Sequence, residues 1–101
     1  MNEKYNTDEL FRLLKNDETK IKRSTQEFLY FCQSALEASR SALITNNFEE
    51  TKSSFHNILN LGEFFGTNDL VTLIRNFKQG NKENLRAIIT ELENVMAHFS
   101  I

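Results

Sequence analysis

The sequence predicts an all-α fold: an antiparallel, up-and-down four-helix bundle with a short N-terminal capping helix, built as one domain over residues 1–101. Three observations point there. The 101 residues contain no proline and only three glycines, so little interrupts helix propagation. Apolar residues recur at three- and four-residue steps through four stretches. The breaks between those stretches are short, which sets successive helices side by side and antiparallel. A chain of this length builds one core rather than two.

Each element has its own warrant. The first helix is short, from about Thr7 to Leu14, with Asn6 as N-cap and Glu9 at the capping-box position. Asn16 and Asp17 break it. The second runs from Glu18 to Ile44 and carries Ile21, Thr25, Phe28, Cys32, Ala35, Leu36, Ser39, Ala42 and Leu43 on one stripe. Thr45-Asn46-Asn47 ends it. Asn47 then reads as the N-cap of the third helix, with Glu50 completing a capping box. Its inner face is Phe48, Thr51, Phe55, Ile58, Leu59 and Gly62, and Gly66-Thr67-Asn68 breaks the pattern. The fourth helix, Asp69 to Lys78, turns Leu70, Leu73, Ile74 and Phe77 inward. Gln79-Gly80-Asn81 is a turn, with Gly80 suited to a left-handed C′ position. The fifth helix starts near Lys82 and buries Leu85, Ile88, Ile89, Leu92, Val95, Met96 and Phe99.

Composition narrows the function. Twelve basic against fourteen acidic residues leave a net charge of −2, so no basic footprint argues for nucleic acid. No apolar run approaches the ~20 residues of a membrane span. The start, Met1-Asn2-Glu3-Lys4-Tyr5-Asn6, is polar and lacks the apolar segment of a secretion signal. The expectation is a monomeric, cytoplasmic protein. Cys32 is the single cysteine; it falls on the inner stripe and reads as a buried, inert thiol. No His/Cys cluster has zinc-site spacing, no glycine-rich loop cradles phosphate, and no Ser/His/Asp or Cys/His arrangement is visible.

One histidine stands out. His56 lies midway along the third helix but about a third of a turn off its apolar stripe. Lys52 lies four residues before it, Asn60 four after and Glu63 seven after, so all four side chains share one outward ribbon. Phe64 also falls outside the main stripe. Imidazole in water titrates near pH ~6.5, which leaves the neutral, nucleophilic form in excess at neutral pH. Lys52 suits the stabilisation of an incoming negative charge, and Asn60 the donation of a hydrogen bond to a phosphoryl oxygen. An exposed histidine is otherwise an ordinary surface residue.

The segment from Phe55 to Leu70 resembles the histidine-containing phosphotransfer (HPt) domains of multistep phosphorelays. Their motif is His, an apolar residue at +2, Lys at +3, Gly at +4, Gly at +10 and often Leu at +14. Here Ile58 matches +2, Gly66 matches +10 and Leu70 matches +14. Leu59 stands at +3 and Asn60 at +4, with Lys52 the candidate replacement for the missing cation. The likeness extends over nearly the whole chain, from Tyr5 through Leu14 and Asn16-Asp17 to the last amphipathic helix. It implies that His56 accepts a phosphoryl group and exchanges it with an aspartate of a response-regulator receiver domain, with a hybrid histidine kinase as a further partner. It implies further that the chain binds no cofactor of its own and that the receiver brings Mg²⁺ and the acidic cluster phosphoryl transfer needs. Glu63, Phe64 and Leu59 are then the candidate partner-binding residues, with Phe64 foremost as an apolar docking patch. Two other readings fit the same residues: a degenerate HPt-like module that binds a receiver or kinase without transfer, and an unrelated helical adaptor.

The remaining features read as structure. His98, near the end of the last helix, suits the negative end of the helix dipole. Lys20, Lys22 and Arg23 form a solvated face. Phe28, Phe48, Phe55, Phe77 and Phe99 fit core positions, whereas Phe31, Phe64 and Phe65 have no clear place in the pattern.

Overall fold

The first turn of a helix leaves its N–H groups unpaired, so helices begin where a polar side chain can take one up. In the computed structural model, which describes residues 5–100, five helices form: α1 (Asp8–Leu13), α2 (Glu18–Thr45), α3 (Glu49–Leu61), α4 (Asn68–Arg75) and α5 (Lys82–Phe99). No strand occurs among the described residues. Met1–Lys4, the polar start of the chain, lie outside them. The Asp17 carboxylate caps α2 by accepting from the Lys20 N–H at 3.2 Å, and the Asn81 side chain caps α5 by accepting from the Asn84 N–H at 3.1 Å.

The two expected capping boxes do not form. Asn6 and Asn47 each accept from the N–H two residues on, Asp8 at 2.9 Å and Glu49 at 3.2 Å. Thr7 and Phe48 therefore occupy the N-cap positions without a side-chain bond. Asparagine makes this local turn readily, and from the position before the N-cap it satisfies the first amide of the helix. Glu9 pairs instead with Arg12, whose hydrogen bond holds the Glu9 carboxyl below its usual range.

The breaks are left-handed residues. Lys15, Asn16 and Asn46 have φ of 53°, 58° and 60°, which ends α1 and α2 close to where the sequence places their ends. Helix α4 is shorter than expected, closing at Asn76 rather than Lys78. Gly80 does take a left-handed φ of 91°, but inside the loop rather than at the C′ position of a helix.

Helix α2 packs on α3 and α5, and α4 packs on α3 and α5, around one core. Phe28, Cys32, Ala35, Leu36, Ser39 and Ala42 of α2 are buried as the stripe requires, together with Ala38. Helix α4 buries Val71 beside Leu70 and Ile74, while Leu73 and Phe77 are half-buried. The rings settle into two clusters. Phe65 stacks on Phe28 at 4.3 Å and 6° between planes, and Phe99 meets both edge-on. Phe77, beyond the end of α4, packs against Phe48 and Phe55. Such pairs add about 0.5–1.5 kcal/mol each beyond the burial of their area. The Cα radius of gyration is 13.7 Å, a compact value for this length.

Two glycines position the end of α3. A Cβ on Gly62 would lie 2.6 Å from Val71 Cγ2, so the missing side chain lets α4 approach closely. Gly66 has φ +68°, and a Cβ there would lie 2.2 Å from the backbone N of Asn6. The N-terminal segment thus rests directly on the turn that follows α3. It anchors Tyr5, 4 % exposed, against the rings of His98 and Phe99.

Candidate functional site

Burial of one face of α3 decides what the other face displays. Phe55 and Ile58 point into the core, and Thr51 donates its hydroxyl to the Ala38 carbonyl of α2 at 3.2 Å. Burial of Thr51, Phe55 and Ile58 together sets the rotation of α3 about its axis. His56, one residue past Phe55, is therefore exposed in the middle of the helix, with Lys52 one turn before and Asn60 one turn after, both exposed. Among the described residues the side chains of His56, Lys52 and Asn60 make no hydrogen bond or ion pair, so all three are available to a ligand or partner.

The other three sequence-designated residues differ from these. Leu59 is half-buried and packs against the core, so the +3 position contributes hydrophobic contact rather than a charge. Glu63 lies beyond the end of α3 at Leu61 but keeps its expected exposed position. Gly62 holds helical φ −56° and ψ −38°, which leaves the Cα of Glu63 on the helical path. Its carboxylate accepts from Arg75 Nη2 of α4 at 3.2 Å. Arg75 escaped the sequence reading because twelve residues separate the pair and no helical spacing links them. Phe64 is half-buried against the core and is not one of the exposed large apolar residues. Among the described residues those are Phe11, Leu13, Tyr30 and Ile44, none of them on α3.

The remaining candidates are structural. His98 is exposed at the last turn of α5, with its ring edge-on to Tyr5 and Phe99 at 4.8 Å each. Cys32 is fully buried, and desolvation pushes its thiol up to about 12, so it is not a nucleophile at neutral pH. Among the described residues no group of three or more His, Cys, Asp or Glu side chains converges as metal ligands would. No helix there is long and apolar enough to cross a membrane.

No family model, curated protein or solved structure matches the chain.

Proposed function

We propose that this protein is a histidine phosphotransfer carrier, taking a phosphoryl group on His56 and exchanging it with receiver-domain aspartates of a multistep phosphorelay. The observation that carries the reading is the exposed His56 at mid-α3, flanked one turn away on either side by the exposed, unengaged Lys52 and Asn60. The motif matches at Ile58, Gly66 and Leu70 support it. The proposal takes α2 to α5 as an up-and-down four-helix bundle capped by α1, acting as a cytoplasmic monomer between a hybrid histidine kinase and a response regulator.

In the proposed step, a ring nitrogen of neutral His56 attacks the phosphorus of the receiver's aspartyl phosphate. The P–N bond forms as the P–O bond breaks, the aspartate leaves as carboxylate, and the second ring nitrogen gives its proton to solvent. Lys52 draws the phosphoryl oxygens electrostatically, and Asn60 donates to one of them from its amide. The receiver supplies Mg²⁺ and its acidic cluster. Glu63, Phe64 and Leu59 border the docking area.

The alternative, a module that docks on a receiver without transfer, draws on Leu59: the residue at +3 packs on the core and brings no cation to His56. Phosphorylated receiver domains presented as a panel distinguish the two. Label is expected on the wild type and absent from His56→Gln, whose thermal stability should match the wild type because His56 is exposed and unbonded. Receiver binding without label would select the docking module, and neither binding nor label would refute both.

A further inference from the structure

The missing cation has a second candidate, on α4. Two contacts set the register of α3 against α4: Phe77 meets Phe55 at 5.5 Å between ring centroids, and Val71 abuts Gly62. The chain runs back along α3 between them. Counting two residues back from Phe77, or four on from Val71, brings Arg75 level with Asn57 and Ile58, next to His56. Glu63, the present partner of Arg75, lies seven residues after His56 on the same outward ribbon. That is two turns, roughly 10 Å along the axis. On this count the Arg75 backbone lies within one turn of His56 along α3, while its guanidinium is paired with Glu63.

We infer that Arg75 is a phosphoryl-binding residue for His56, held in reserve by Glu63 in the unphosphorylated protein; the inference rests on the phosphotransfer reading above. Both partners of the ion pair are 60 % exposed, so water screens the pair and little holds it closed. A phosphoryl group on His56 carries up to two negative charges and three acceptor oxygens against the single charge of Glu63, and a guanidinium binds it through a planar fork. The transfer of Arg75 from Glu63 to the phosphoimidazole restores from α4 the cation that Leu59 withholds at +3. It also moves Glu63 from a paired to an unpaired state, so the docking surface changes charge when His56 is loaded.

The test uses the full chain and potassium phosphoramidate, a donor that passes its phosphoryl group to imidazole and releases ammonia. His98, exposed on α5, is an internal reference, and the ratio of His56 to His98 loading is read by mass mapping. Arg75→Ala should lower that ratio about tenfold and flatten its salt dependence, with Arg75→Lys restoring part of it. Glu63→Gln should load at or above the wild-type ratio, because it frees the guanidinium. An unchanged ratio in Arg75→Ala overturns the inference. So does Glu63→Gln behaving like Arg75→Ala, since the ion pair would then serve only the structure. If the Arg75 effect holds but no phosphorylated receiver transfers to the wild type, the relay is refuted and anion binding by Arg75 stands.

Discussion

Gly66 separates structural from chemical explanations of the +10 glycine, and its replacement by alanine has a calculable cost. Gly66 and Gly80 both have positive φ, +68° and +91°, but only Gly66 has backbone in the way: a Cβ meets Asn6 N at 2.2 Å, whereas nothing lies within 4 Å at Gly80. A left-handed L-residue costs about 1–2 kcal/mol, offset by about 0.4–1 kcal/mol from the stiffer unfolded chain. Torsion alone makes Gly80→Ala the worse of the two, since +91° lies farther from the left-handed minimum. Packing reverses the order. To admit the Cβ, Asn6 must move off the turn and take Tyr5 out of its site, and burial of a side chain of that size contributes about 1.5–3 kcal/mol. Gly66→Ala should therefore cost about 2–4 kcal/mol and Gly80→Ala about 0–1.5 kcal/mol. In thermal unfolding followed by circular dichroism, that is a fall in Tm of about 8–30 °C against about 0–12 °C. A double-mutant cycle completes the test: Tyr5→Ala should destabilise the wild type but add little to Gly66→Ala. Equal costs for the two glycines, or full additivity with Tyr5→Ala, would refute the argument.

Further outcomes are expected. Lys52→Ala should slow loading of His56 by about three- to tenfold without shifting Tm, because Lys52 is exposed and unpaired; transfer at the wild-type rate would remove it as a support. Ser39 is fully buried with no hydrogen-bond partner for its hydroxyl among the described residues, so Ser39→Ala should leave stability unchanged or raise it by about 1 kcal/mol in urea titration. Cys32 should resist a disulfide reagent at pH 8 in the native state about a thousandfold more than in urea, since burial lifts the thiol from 9.0 to about 12. The sign follows from linkage: above pH 9 the unfolded chain releases this proton and the folded one retains it, so stability falls between pH 9 and about 12. Cys32→Ala should shrink that alkaline loss.

The helices were legible because periodicity and breakers are local. The stripe from Phe28 to Ala42 reports the buried face of α2 without reference to any partner. The left-handed Asn16 and Asn46 lie where asparagine interrupts the pattern. The inner face of α3 was likewise readable, and with it the exposure of His56, Lys52 and Asn60. Capping was less so, because Asn6 and Asn47 have two N–H targets within reach and the sequence does not choose between them. Phe64 and Phe65 show the limit most clearly. They are neighbours of identical chemistry in a turn, where no helical period assigns a face. Phe65 stacks on Phe28 in the core while Phe64 stays half-buried.

By itself, then, the sequence determined the helical class, the extent of α2 to within a residue, the start of α5, and the face of α3 that carries His56, since each depends on neighbours within a few turns. Tertiary structure alone decided what lies beside that face. Arg75 reaches Glu63 because α4 folds back over Gly62, and Gly66 carries Asn6 because residues sixty positions apart meet there. Such contacts arise from the register between elements, and that register comes from close packing of the whole core, which no local repeat encodes.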